Sequence, residues 1–137
     1  MNDKNTHKLK NNYERSKCPI TNTLDIIGDK WTLLVIRDML VFGKSQYNEF
    51  LKSDEGISTN ILADRLNKLE QSGVITKKSY QTKPTRYEYH LTNIGKNLKP
   101  LLIEMVKWGG KHVEGSYMLP EDEIDEVMRG EKNPKPK

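Results

Sequence analysis

Apolar and polar positions divide the chain into amphipathic segments separated by glycine, proline and small polar residues. Residues 1–17 are polar and lysine-rich and read as a flexible basic arm. Pro19 suits the first turn of a short helix to about Ile27, where its missing amide would have no partner. Gly28 ends that helix, and Asp29 resembles an N-cap for Lys30–Phe42, with Gly43 as the stop. Leu33, Leu34, Ile36, Leu40 and Val41 make this second helix apolar over much of its surface, which predicts a central place in the core. Ser45 is the expected cap of a short third helix, Gln46–Leu51, with Tyr47, Phe50 and Leu51 inward. A polar link, Lys52–Gly56, follows.

The clearest helical signal is ISTNILADRLNKLEQSG. Ser58 is a good N-cap, and Ile57 and Leu62 occupy the two positions of a hydrophobic staple. Leu62, Leu66 and Leu69 form the inward stripe, and Gly73 is the C-cap. Val74–Tyr80 and Arg86–Leu91 are rich in valine, threonine and tyrosine and read as two strands of a hairpin joined through Pro84. Thr92 caps a long helix from Asn93 to about Val113, with a kink predicted at Pro100. Leu98, Leu101, Leu102, Met105 and Trp108 give this helix more apolar surface than one small core needs, which predicts a partner-helix interface. Leu119–Gly130 holds one more short amphipathic helix, with Ile124, Val127 and Met128 on one side, before a disordered tail.

Composition narrows the class. The 137 residues fit one domain of 18–117, flanked by the arm (1–17) and a short acidic helix with its tail (118–137). No apolar run approaches the roughly 20 residues of a membrane span, and the first 17 residues hold no apolar stretch for a signal peptide. One cysteine excludes an internal disulfide framework and points to a reducing cytoplasm. The net charge is +4, and the segment 74–91 alone carries Lys77, Lys78, Lys83 and Arg86 against Glu88. Such a patch fits a polyanionic partner, although a solvated hairpin would carry the same charges. His7, His90 and His112 have no ligand spacing, and no phosphate-binding loop or zinc-protease motif occurs. The reading is therefore no enzyme, no metal and no cofactor.

The order is helix, helix, helix, turn, helix, hairpin, helix: mainly α with a small β-hairpin. A short helix, a turn and a longer helix with a polar outer face are the parts of a helix-turn-helix, and a basic hairpin directly after them is a wing. At about 100° per residue, Asn60, Asp64, Asn67 and Gln71 fall opposite the leucine stripe, flanked by Ala63 and Lys68. Asparagine and glutamine can pair bidentately with adenine in the major groove. The N-terminal end of such a helix goes deepest, which favours Ser58, Thr59 and Asn60. Duller roles stand beside these: Ser58 as a cap only, Asp64 as a partner of Lys68, and Arg65 as a brace of the fold instead of a phosphate contact. A winged helix that binds only protein is the rival the polar face and basic hairpin speak against.

CPITNTLDIIGDKWTLLVIRDML, then SQYNEF, ISTNILADRLNKLEQSGVI and PTRYEYHLTNIGKNL, resemble the HxlR family of bacterial transcription regulators, relatives of the MarR group. The resemblance runs from about Cys18 to Gly110 and leaves out the arm and the acidic tail. It implies a winged-helix homodimer joined through its terminal helices and bound to a near-palindromic double-stranded DNA operator, most simply as a repressor. It also implies that a cysteine matching Cys18 senses electrophiles or oxidants in many members. By position, Cys18 precedes Pro19 at a helix N-terminus with Arg15 and Lys17 close in sequence, which favours the thiolate. A small residue packed against the domain is the other reading of Cys18, and a small ligand held between helices is the other reading of the switch.

Overall fold

The computed structural model describes residues 8, 9 and 15–128. The expected arm lies outside them except for Lys8, Leu9 and Arg15–Lys17, as does the expected disordered tail after Met128. Seven helices and one hairpin follow in the described residues: α1 (Pro19–Ile27), α2 (Lys30–Phe42), α3 (Tyr47–Phe50), α4 (Thr59–Ser72), β1 (Ile75–Thr82), β2 (Thr85–Leu91), α5 (Asn93–Lys96), α6 (Lys99–His112) and α7 (Glu121–Met128).

Helix α2 is the central post. Its Val35, Ile36, Met39 and Val41 are buried, and they meet Phe50, Leu62, Leu66, Leu69 and Ile75 in one core. The Asp29 carboxylate caps α2 by accepting from the Thr32 amide at 3.0 Å, and Gly43 ends it at φ 66°, a left-handed conformation that glycine adopts without a Cβ penalty. The apolar side of α7 belongs to the same core through Ile124, Val127 and Met128. No helix among the described residues is long and apolar enough to cross a membrane.

Three local expectations are corrected. Ser45 does not cap α3: Glu49 Oε1 accepts from the Ser45 amide at 2.9 Å and the Gln46 amide at 3.0 Å, and Gln46 is the N-cap residue. The Ser45 carbonyl instead accepts from the Tyr89 amide at 2.7 Å, which pins the start of the helix-turn-helix to the hairpin. The strands run longer than expected, leaving only Lys83 and Pro84 between them, with antiparallel register Ile75↔Leu91 through Lys78↔Glu88 to Thr82↔Thr85. Finally, the long helix predicted from Asn93 is two helices. The chain breaks at Asn97–Leu98, and Pro100 sits in the first turn of α6. A proline there lacks only an amide that would be unpaired anyway, whereas inside a continuous helix it would clash with the preceding turn.

Candidate nucleic-acid interface

The interface starts from how α4 is held. Ser58 Oγ accepts from the Ile61 amide at 3.2 Å, and Gly73 closes the far end at φ 92°. Leu62, Leu66 and Leu69 are buried, so the helix cannot rotate about its axis without exposing them. Tyr47 of α3 donates its hydroxyl to the Thr59 carbonyl at 2.9 Å, which fixes the turn between the two helices. Arg65 Nε donates to Asp29 Oδ2 at 2.7 Å and its Nη1 to Asp64 Oδ2 at 2.6 Å. The guanidinium thus braces α4 against the N-cap of α2 and is occupied by two carboxylates. Its hydrogen bond holds the Asp29 carboxyl well below the ordinary value, at about 2.

With that side fixed, Ser58, Thr59, Asn60, Ala63, Asn67, Lys68 and Gln71 are all exposed on the other. Asp64 is half-exposed and lies 3.2 Å from Lys68 Nζ, the pairing its spacing predicts. Lys68 and Arg65 both favour its charged form and lower its pKa. The outer surface is therefore two amides near the start and middle of the helix, a third at its end, and a neutralised charge pair between them.

The wing joins α4 at a tight corner. The Thr92 hydroxyl lies 2.8 Å from the Gly73 carbonyl and 3.0 Å from that of Val74, sharing its proton between them, and accepts from the Gly95 amide at 3.1 Å. A Cβ on Gly95 would come within 2.3 Å of the Val74 carbonyl oxygen, so only glycine lets α5 close onto this corner. Lys78, Lys83 and Arg86 are exposed. Lys77 is more occupied, 3.8 Å from Glu70 and 4.6 Å from the centre of the Tyr87 ring. Sequence reasoning missed the tyrosines. Tyr80 and Tyr87 are exposed beside Arg86, and with Tyr47 and Tyr89 they line a groove of about 240 Å³ between α3 and the wing. The alternation of Tyr87 and Tyr89 on one strand was the signal available.

The terminal helices present different chemistry. Leu101, Met105 and Trp108 recur at helical spacing on α6 and are exposed, Trp108 to 64%. The interface expected on this helix shrinks accordingly: Leu102 is buried in its own core and Leu98 packs against that core. Ile20 and Leu24, one turn apart on α1, are exposed as well. Cys18 is exposed at the N-cap of α1. Its thiol pKa is lowered by the amide and hydroxyl of Thr21 and the amide of Ile20. Arg15, expected to help, instead bonds Asp25. Among the described residues no group of three or more His, Cys, Asp or Glu could hold a metal ion.

A capped helix with a polar outer face, a preceding short helix and a basic hairpin define a winged helix-turn-helix transcriptional regulator. The chain belongs to the HxlR-like helix-turn-helix family, whose model matches residues 26–117. It is 40% identical over 95 residues to YdeP, an uncharacterised HTH-type transcriptional regulator of Bacillus subtilis, covering 69% of this chain and 73% of that one. YybR of the same organism, also an uncharacterised HTH-type transcriptional regulator, is 36% identical over 101 residues, 73% of this chain and 80% of its own. Among solved structures, the oxidised form of the redox regulator HypR superposes with a TM-score of 0.61 at 33% identity, covering 71% of this chain and 99% of that one. The reduced form of the transcriptional regulator YodB from Bacillus subtilis does so at 0.59 and 28% identity, over 72% and 97%. The family and these relatives are transcriptional regulators and not enzymes.

Proposed function

We propose that this regulator is a cytoplasmic homodimer that represses transcription by binding a near-palindromic operator, and that modification of Cys18 releases it. The observation that carries the reading is the divided surface of α4: three buried leucines lock its orientation and leave Asn60, Asn67 and Gln71 open to base edges. Ser58, Thr59 and Asn60 enter deepest, Ala63 admits close approach, and Lys68 keeps Asp64 neutralised near DNA. Lys77, Lys78, Lys83 and Arg86 hold phosphate oxygens beside the groove. Arg65 positions the helix through Asp29, and a bound dimer blocks polymerase.

The exposed stripes on α1 and α6 support the dimer, since Leu101, Met105 and Trp108 bury only against a partner. Two symmetry-related α4 helices then meet half-sites one turn, roughly 34 Å, apart. Cys18 begins α1, away in sequence from the base-reading face, so an adduct there acts by shifting one subunit against the other. With no second cysteine in the chain, the modified forms are an intersubunit disulfide, a mixed disulfide with a small thiol, or an alkylated thiol. The redox regulator HypR, with a similar fold, supports this choice of switch.

The test is a footprint on DNA flanking the gene, with and without diamide, for wild type and Cys18→Ser. The serine variant is expected to bind as wild type when reduced and to stay bound under diamide. Release of the variant at the wild-type dose removes Cys18 as the switch.

A further inference from the structure

We propose that the groove between α3 and the wing seats one sugar–phosphate unit of the bound DNA strand, held by the uncharged hydroxyls of Tyr80 and Tyr87 beside the Arg86 guanidinium. The proposal rests on the DNA-binding reading above and adds to it a grip on the backbone that depends little on salt.

The two sides of the groove are tied together. The Ser45 carbonyl accepts from the Tyr89 amide at 2.7 Å, and Gln46 forms a bridge with Glu88, so the start of α3 is pinned to β2. Half-buried Tyr89 meets the buried Phe50 ring edge-on, with ring centres 6.4 Å apart. On the wing, simple alternation along β1 would send Tyr80 to the face opposite Ser79 and its cross-strand partner Tyr87. A bulge intervenes: the register passes from Ser79↔Tyr87 to Gln81↔Arg86 and leaves Tyr80 as the extra residue. Such a residue has its side chain re-aimed, and Tyr80 and Tyr87 line the same groove. Lys77 Nζ lies 4.6 Å from the centre of the Tyr87 ring and holds it from one face.

The lining selects a phosphodiester. Among the described residues that line the groove there is no carboxylate; Arg86 brings one positive charge, and the other polar groups are hydroxyls and amides. The acids nearby are engaged elsewhere. Glu49 accepts from the Ser45 and Gln46 amides, Glu70 lies 3.8 Å from Lys77, and Glu88 lies 3.2 Å from His90. Burial raises the Tyr89 pKa, so no phenolate forms there to repel a phosphate. Hydroxyl donors beside a guanidinium suit phosphate oxygens, and tyrosine rings suit the apolar face of a sugar. At about 240 Å³ the groove is smaller than the roughly 300–1,000 Å³ of pockets that enclose a whole ligand, which favours one unit of a polymer passing through.

Position points to the strand beside the recognition helix. The Tyr47 hydroxyl donates to the Thr59 carbonyl, so its proton is spent within the protein and its ring joins the groove to the first turn of α4. Asn60 follows directly on that turn. When this end of α4 enters a major groove, the strand at the edge of that groove runs between α4 and the wing. Seating one of its units fixes the register in which the amides of α4 meet base edges. Neutral hydroxyls displace no counterion, so their share of the affinity persists as salt rises, unlike that of a lysine.

The experiment uses the full chain, an operator selected from random DNA, and copies of that operator carrying a methylphosphonate at one position at a time. Tyr80→Phe and Tyr87→Phe remove only hydroxyls, and both rings are exposed, so the core is left intact. Combined, they are expected to lower operator affinity about tenfold or more with the salt slope unchanged. Arg86→Ala is expected to lower the slope by about one. Wild type is expected to be sensitive to methylphosphonate at one phosphate in each half-site, next to the bases that Asn60 meets. The double variant is expected to respond less there and as wild type at every other phosphate. Free 2-deoxyribose 5-phosphate is expected not to bind. Unchanged affinity of the double variant, a changed salt slope, or a methylphosphonate profile identical to that of wild type overturns the seat and leaves DNA binding standing. Binding of the free sugar phosphate at micromolar concentration makes the groove a small-molecule site and overturns the seat as well. A wild-type chain that selects no operator overturns the DNA-binding reading, and the seat with it.

Discussion

Helices α4 and α6 are each 14 residues long, and each turns one side to solvent with opposite chemistry. Helix α4 buries Leu62, Leu66 and Leu69 and shows amides and a paired charge. Helix α6 buries only Leu102 fully and shows Leu101, Met105 and Trp108. A polar outer face is stable in water and open to a hydrogen-bonding partner. An apolar one costs free energy until covered. On the proposed function the contrast separates a surface that reads from a surface that assembles, and it can be attacked from either side.

The largest effect is expected at the assembling surface. Trp108→Asp keeps an exposed helix position but places a charge where a partner would pack. Sedimentation is expected to show monomer, and operator affinity to fall by about 100-fold or more, because the second half-site is no longer held at high effective concentration. A variant that stays dimeric and binds as wild type would move the interface off α6.

Next comes the reading surface. Asn60→Ala is expected to cost about 1–3 kcal/mol on the preferred site and far less on random DNA, as loss of a bidentate base contact should. Equal losses on both would assign the α4 face wrongly. The wing sharpens the distinction. Lys83→Ala or Arg86→Ala is expected to weaken specific and random DNA alike and to lower the salt slope by about one for each lost phosphate contact. A change of base preference in either variant would make the wing a reader.

Which features the sequence foretold follows from how local their causes are. The bounds of α2 and α4 rest on a capping side chain and a glycine, those of α1 on Pro19 and Gly28, and the structure has them where the pattern placed them. The outward set on α4 was legible because three leucines fix its phase. The phase of α6 was not, because the apolar spacing runs on through Pro100 while the backbone restarts there. That restart turns Leu102 into the core and Leu101 out of it. Buried Asp38 carries no signal in the pattern of the sequence. Its partners, Lys44 and Ser53, are brought to it by the fold, as is the Tyr89 amide to the Ser45 carbonyl.

The smallest expected effect tests what holds α4 in place. Arg65 joins α4 to Asp29 at the start of α2, and the hydrogen bond from Arg65 keeps the Asp29 carboxyl at about 2. In the unfolded chain an aspartate titrates at about 3.9. A carboxyl depressed on folding adds stability above its unfolded pKa and loses it as pH falls through the folded one. The brace is therefore complete above about pH 4 and gone near pH 2. Both partners reach solvent, with side-chain exposures of 22% for Arg65 and 42% for Asp29. Such a pair contributes about 1 kcal/mol or less. Asp29→Asn can still accept from the Thr32 amide, so the cap of α2 survives while the charge is lost. Denaturant midpoints should place the variant slightly below wild type at pH 7, with the gap closing between pH 4 and pH 2. A gap that stays constant across that range would mean that packing alone orients the recognition helix, and that Arg65 is free to serve DNA.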